Sequence, residues 1–99
     1  MTTPAETLEN YRREIDALDR QLIDILARRF DIIRAVGRLK TESDIPIIQS
    51  ERAQMVISRA AAMAIEKNVD PDFIRKFYTD MIDLAHVMEY DIKDRHGRD

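Results

Sequence analysis

The stretch that decides the fold, residues 5–45, reads AETLENYRREIDALDRQLIDILARRFDIIRAVGRLKTESDI and lies between Pro4 and Pro46. It contains a single glycine, Gly37, and its apolar side chains recur at alternating steps of three and four residues. This spacing is the a/d pattern of a heptad seam. All seam positions except Arg29 are apolar, and the seam consists of Leu8, Tyr11, Ile15, Leu18, Leu22, Ile25, Arg29, Ile32, Val36 and Leu39.

The seam predicts one helix from about residue 6 to about residue 42, which would be about 55 Å long at ~1.5 Å per residue. A compact chain of 99 residues has a radius of gyration of about 13 Å, so its diameter is about 33 Å. The rest of the chain cannot cover so long a helix, and a second copy is the simplest partner. The sequence therefore predicts an intertwined homodimer.

Capping residues predict two more helices after a loop over residues 42–49. Ser50 is the predicted N-cap of the second helix, which ends at about residue 67. Asp70 is the predicted N-cap of the third helix, with Pro71 at its first position, and this helix ends at about residue 93. The predicted fold class is all-α, with one very long, one short and one medium helix per chain.

Length and composition agree with a single domain over residues 1–99, with its core at about residues 6–93 and a frayed tail at 94–99. The chain has 2 glycines, 3 prolines and no cysteine, which disfavours a β-sandwich and excludes disulfide and thiolate sites. A net charge of −3 and short apolar runs argue against nucleic-acid and membrane partners. Because cysteine and the features of a signal peptide are missing, we expect a cytoplasmic location.

One charged residue, Arg29, occupies the apolar seam. A buried guanidinium is costly unless it meets an anion, so Arg29 sets the register of a coiled coil, extends to solvent or binds an anionic ligand. Arg12 and Lys40 lie on the neighbouring stripe, but Arg12 is about 25 Å from Arg29 along one helix. An antiparallel second copy would bring Arg12 to Arg29 and Lys40, and Arg52 would add a further cation.

The third helix carries a carboxyl, Glu89, on the apolar stripe that includes Tyr78, Ile82, Ala85 and Ile92. A carboxyl in such a place either pairs with a cation or keeps its proton. One interpretation is an internal ion pair between Glu89 and an arginine. The other is a pocket with several cations, one carboxyl and apolar walls, which suits a small dicarboxylate ligand.

The sequence gives little support to other chemistry. The only histidines, His86 and His96, lack the partner ligands of a metal site in a helical bundle, and His86 is expected to be a peripheral helix residue. No serine stands beside a histidine and an acid, and no glycine-rich phosphate loop is present. We therefore expect no nucleophile, no metal and no cofactor.

Five short motifs span most of the chain: YRREIDALD at residues 11–19, LARRF at 26–30, AVGRLK at 35–40, SER at 50–52 and VDPDFI at 69–74. Together they resemble the all-helical (type II) chorismate mutase family over about residues 8–92. The two arginines followed by Val-Gly-x-x-Lys are the most specific part of this resemblance. It implies a homodimer of three-helix chains with two active sites, each built from the long helices of both copies.

The resemblance also implies a role for individual positions. Arg12 of the other copy and Arg29 would bind the two carboxylates of chorismate, and Lys40 would hydrogen-bond the ether oxygen and a carboxylate. Arg52 would lie near the ring end of the site, and Glu89 would face the ether oxygen opposite Lys40. The implied enzyme is an isomerase, a chorismate mutase that forms prephenate in the shikimate pathway to phenylalanine and tyrosine.

The implied reaction is a unimolecular pericyclic rearrangement, which needs no covalent intermediate or proton transfer. The enzyme would hold the compact conformer of chorismate and stabilise the charge that develops as the ether bond breaks. A carboxylate cannot donate a hydrogen bond, so Glu89 would need a proton to address the ether oxygen. We therefore expect activity to be highest at acidic pH and Glu89→Gln to flatten the pH profile.

Three positions depart from the mutase pattern and leave the ring contact open. Ala53 and Gln49 stand where many mutases carry acids, and Ala85 stands where a serine is frequent. The segment Ser50-Glu51-Arg52-Ala53 is closer to the related isochorismate pyruvate-lyases, which form salicylate. The alternatives are therefore such a lyase, a 4-amino-4-deoxychorismate mutase and a non-enzymatic helical dimerisation module.

Overall fold

A computed structural model describes residues 1–97 and shows three helices, α1 Pro4–Glu42, α2 Ser50–Glu66 and α3 Pro71–His96. They contain 39, 17 and 26 residues. No strand occurs within residues 1–97, so the predicted all-α class with one long, one short and one medium helix is confirmed. None of the helices in this part of the chain is long and apolar enough to cross a membrane.

Helix α1 begins two residues earlier than predicted because Thr3 caps it. The Thr3 hydroxyl oxygen accepts a hydrogen bond from the Glu6 backbone N–H at 3.1 Å, and Pro4 fills the first helical position. The helix ends at Glu42, as predicted. Asp44 then turns the chain with a positive φ of 55°, and the next N–H donates back to the Lys40 carbonyl at 2.8 Å.

The cap predicted for α2 is wrong by one residue. Ser50 is the first helical residue, and Gln49 occupies the N-cap position without a side-chain capping bond. At the other end Lys67 is the C-cap, and Asn68 follows it in the left-handed conformation, with φ 58°. The Val69 N–H donates to the Ala64 carbonyl at 2.8 Å, which closes the helix in the manner of a Schellman motif.

The predicted start of α3 is confirmed, and its predicted end is wrong. The Asp70 carboxylate accepts hydrogen bonds from the Asp72 and Phe73 N–H groups at 2.8 and 3.2 Å. The helix continues to His96, three residues beyond the predicted end, because basic side chains in its last turn favour the negative end of the helix dipole. Residues 94–96 of the predicted tail are therefore helical, and 98–99 lie outside the described residues.

The chain divides into two compact units, and the boundary falls inside α1, between Ile32 and Ile33. In the first unit, Met1–Ile32, the apolar seam residues are between 49% and 64% exposed. Seven side chains make up this part of the seam: Leu8, Tyr11, Ile15, Leu18, Leu22, Ile25 and Ile32.

The second unit, from Ile33 onward, contains the buried core. Helices α2 and α3 pack against each other, and each buries small side chains that permit a close approach. Ala60, Ala61 and Ala64 of α2 are buried, as are Met81 and Ala85 of α3. Near them the fold also buries a charged residue, Glu89 of α3.

Candidate active site

Gly37 lets the C-terminal part of α1 approach α3 beside Glu89. A Cβ atom added at Gly37 would lie 3.1 Å from Ile92 Cδ1, 3.2 Å from Glu89 Cγ and 3.3 Å from Glu89 Cα. One of these atoms belongs to the backbone of α3, which moves less readily than the end of a flexible side chain. The glycine in the long seam therefore marks a close helix crossing.

Lys40, one turn further along α1, forms an ion pair with Glu89 across this crossing. Lys40 Nζ lies 2.8 Å from Glu89 Oε1 and donates a hydrogen bond of 2.8 Å to the backbone carbonyl of Ile47. The Lys40 side chain is 15% exposed, and Glu89 is 2% exposed. Ile47 itself is buried, so the loop after α1 holds the ammonium in place from a second side.

The partner of Glu89 is thus a lysine, whereas the sequence led us to expect an arginine as the structural alternative. The contact with Glu89 is an ion pair without a hydrogen bond to Oε1, so the Ile47 carbonyl occupies one of the three N–H donors of the ammonium group. A carboxylate and a carbonyl therefore hold Nζ from two directions. The arrangement can present one oriented positive charge to an anionic or developing oxygen without further rearrangement.

The other predicted residues of the second unit have different surroundings. Gln49 is exposed at the start of α2, and its Nε2 donates to the Pro46 carbonyl at 3.4 Å. Arg52 is exposed in the first turn of α2, with Nη1 3.9 Å from Met55 Sδ. Ala85 is buried on α3, one turn before Glu89. Lys40 and Glu89 are the two predicted residues that the structure joins by a direct contact.

The two remaining predicted residues, Arg12 and Arg29, lie on α1 in the first unit. Arg12 is exposed, and its Nη1 is 3.9 Å from Glu9 Oε2, the distance of a weak surface ion pair. Arg29 is half-buried, unlike its exposed apolar neighbours in the seam.

Sequence reasoning missed His86. His86 is half-buried and lines a groove of about 280 Å³ between α2 and α3, which the sequence did not indicate. Ala53 and Ile57 line the groove from α2, and Ile82 and Asp83 line it from α3. The signal was the spacing of three residues between His86 and Glu89, which places their side chains next to each other on one helix face.

The chain was compared with known protein families and curated proteins. Residues 11–90 match the family model described as chorismate mutase type II, which is most of the chain. Among the relatives, a 4-amino-4-deoxychorismate mutase of Streptomyces venezuelae is 34% identical over 77% of this chain and 74% of its own. A chorismate mutase of Methanocaldococcus jannaschii is 28% identical over 79% of both chains.

An isochorismate pyruvate lyase of Pseudomonas aeruginosa is 30% identical over 83% of this chain and 82% of its own. The relatives differ in length, and the chain spans between 18% and 82% of theirs. The three names describe different activities on related compounds. The comparisons therefore establish the family and not one activity. On the extent of that match, the chain belongs to the type II chorismate mutase family.

Proposed function

We propose that the protein is a chorismate mutase, an isomerase that converts chorismate to prephenate. The observation that carries the proposal is the buried Lys40–Glu89 pair at the Gly37 crossing, in a chain of the type II family. Both residues stand at positions for which the resemblance implies contact with the ether oxygen. A substrate with two carboxylates and a breaking ether bond matches the cations and the single carboxyl of this proposed site.

The proposed role of Lys40 is to stabilise the charge that develops on the ether oxygen as the bond breaks. The charge of Glu89 and the Ile47 carbonyl hold the ammonium group, and one of its remaining donors would meet the substrate. Because the ammonium is oriented before the substrate binds, little reorganisation accompanies bond breaking. No acid, base or nucleophile is required, since the rearrangement moves electrons within one molecule.

Glu89 has two roles in this proposal. One oxygen, Oε1, pairs with Lys40 and fixes the ammonium. The other can donate a hydrogen bond to the ether oxygen when it carries a proton, as an amide would donate without one.

The two carboxylates of the substrate require arginines, since their planar guanidinium groups bind carboxylates through paired hydrogen bonds. We assign one carboxylate to Arg29 and the other to Arg12 of a second copy, with Arg52 near the ring. Gln49 and Ala85 complete the proposed lining.

The proposal includes a homodimer with shared active sites. Its support is the first unit, in which seven large apolar seam residues are half or more exposed along the helix. Such a stripe repeats with the heptad spacing of a helix pair, so a second copy with the same stripe is a self-complementary partner. The proposal also includes a cytoplasmic location and a role in phenylalanine and tyrosine biosynthesis. Rescue of a mutase-deficient bacterial strain tests the biosynthetic role.

Two other activities each have an observation in their favour. Ala53 lacks the acid that many mutases carry for the ring hydroxyl, and the Streptomyces relative bears the name of an amino-substrate mutase. The Ser50-Glu51-Arg52-Ala53 segment and the Pseudomonas relative favour a lyase that releases pyruvate from isochorismate.

One assay separates these activities. The purified protein is incubated with chorismate, isochorismate or 4-amino-4-deoxychorismate, and substrate loss is followed by ultraviolet absorbance with pyruvate and salicylate measured in parallel. The proposal expects loss of chorismate without pyruvate. Salicylate with an equal amount of pyruvate from isochorismate, and no loss of chorismate, would establish the lyase instead. Inertness towards all three substrates would leave the helical dimerisation module.

A further inference from the structure

We propose that Asp83 and His86 recognise the substituent on the substrate ring and let the site accept an ammonium group there. This assignment rests on the proposed function, which supplies the substrate class. It concerns the groove between α2 and α3, which has a volume of about 280 Å³. Neither Lys40 nor Glu89 lines this groove.

The groove begins beside the proposed reaction centre. His86 precedes Glu89 by three residues on α3, and side chains at this spacing are neighbours, with Cβ atoms about 5–6 Å apart. In chorismate-type substrates the ring substituent is on the carbon next to the one that carries the ether oxygen. A group that recognises this substituent must therefore lie within reach of the group that addresses the ether, and His86 meets this requirement.

The groove has an apolar interior and a polar margin. Ala53, Ile57 and Ile82 supply apolar side chains, which suit the face of an unsaturated ring. Asp83 and His86 line the groove from successive turns of α3. Neither side chain has a hydrogen bond or ion pair within residues 1–97.

The chemistry of this pair discriminates between an ammonium and a hydroxyl. An imidazole nitrogen can accept a hydrogen bond from either group. A carboxylate attracts a positive charge far more strongly than a neutral hydroxyl, and the α2 residues that line the groove, Ser50, Ala53, Gln54 and Ile57, carry no charge. Asp83 therefore supplies from α3 the negative charge that α2 lacks at this point, and His86 supplies the hydrogen bond.

The test compares kcat/KM for chorismate and 4-amino-4-deoxychorismate in the full-length protein. Asp83→Asn is the main variant because Asp83 is exposed and its replacement leaves the core intact. We expect it to lower kcat/KM for the amino substrate about tenfold more than kcat/KM for chorismate, the effect of one charged hydrogen bond. His86→Leu should lower kcat/KM for both substrates. A substrate that is not converted is measured as a competitive inhibitor of the other.

Asp80→Asn is the matched control, since it removes the same charge from an exposed position of α3 that does not line the groove. Its ratio of kcat/KM values should equal that of the wild type. An unchanged ratio in Asp83→Asn, or the same change in Asp80→Asn, contradicts this assignment while leaving the mutase intact. A wild-type protein that neither converts nor binds either substrate contradicts the proposed function and this assignment together.

Discussion

The two units of the chain differ in what they bury. In the second unit, alanines of α2 and α3 are buried against each other, and even a carboxyl, Glu89, is enclosed with its partner. In the first unit no residue is buried, and the large apolar seam residues of α1 are 49–64% exposed although they repeat with heptad regularity. The second unit has a buried core of its own, although it also exposes large apolar side chains such as Leu39, Ile65 and Phe73, whereas the first unit has the composition of an interface.

We infer from this difference that the two units have different functions. The second unit contains a charged pair whose geometry is fixed by Gly37 and Ile47. The first unit contains Arg12, which is exposed, and Arg29, which is half-buried. We infer that dimerisation supplies the interface and the arginines, and that folding of the second unit supplies Lys40. The following changes should separate these contributions.

The largest effect is expected from a charge in the seam of the first unit. Leu22→Asp removes an apolar side chain worth about 2 kcal/mol on burial from each copy, so a dimer loses about 4 kcal/mol. This is about a thousandfold in the dissociation constant, which sedimentation velocity over a concentration series would measure. Arg20→Asp, on the charged face beside it, is the control and should leave the dimer intact. A folded wild-type monomer at micromolar concentration would contradict the interface.

The next effect is expected from Lys40→Met, which removes the oriented ammonium of the second unit. The activation free energy should rise by about 3 kcal/mol, which lowers kcat more than a hundredfold. Unfolding should also become easier by about 3 kcal/mol, because Glu89 is left buried without its partner.

Adding Glu89→Leu to the Lys40→Met variant separates these two losses. The double variant replaces the whole ion pair by apolar side chains and should recover most of the free energy of unfolding. Its activity should not exceed that of the single variant. Recovery of kcat together with stability would show that Lys40 has only a structural role.

A smaller effect is expected from Gly37→Ala, which tests the helix crossing. The added methyl group meets α3 at 3.1–3.3 Å, so the helices must separate or the Glu89 backbone must shift. We expect a loss of about 1–2 kcal/mol in the free energy of unfolding and about a tenfold loss of kcat. Gly97→Ala is the control, because its Cβ would meet neighbours only at 3.6 Å or more. Equal changes in the free energy of unfolding and in kcat of the two variants would show that the close crossing at Gly37 does not matter.

The smallest effect near neutral pH is expected from Glu89→Gln. The amide oxygen can remain beside Lys40 Nζ, while the amide nitrogen donates at every pH. The wild type should lose activity as pH rises, whereas the variant should vary much less. Identical pH profiles of kcat would exclude Glu89 from the contact with the ether oxygen.

Much of this fold followed from the sequence, because local signals decide it. The heptad seam predicted α1, and Asp70 with Pro71 predicted the start of α3, since capping and periodicity act over a few residues. The predicted N-cap of α2 was wrong because Ser50 and Gln49 are both polar. The backbone conformation decides between them, and it cannot be read from the sequence. The extension of α3 to His96 depends on the favourable charges of its last turn.

The site was predictable only in part. A charge on an apolar stripe, as at Glu89, predicts a paired cation or a retained proton, and the expected ion pair was with an arginine where the structure has Lys40. The close crossing at Gly37 and the carbonyl of Ile47 depend on how segments far apart in sequence pack together. His86 was missed because a groove has no sequence period of its own.

Subunit mixing tests the central claim, that each active site takes Arg12 from one copy and Lys40 from the other. Arg12→Ala and Lys40→Ala variants are each assayed alone and then unfolded together and refolded at equal concentrations. If sites are shared, half the dimers are mixed and each mixed dimer contains one intact site, so the account predicts about one quarter of wild-type mutase activity. Activity no higher than the average of the two separate variants would contradict it.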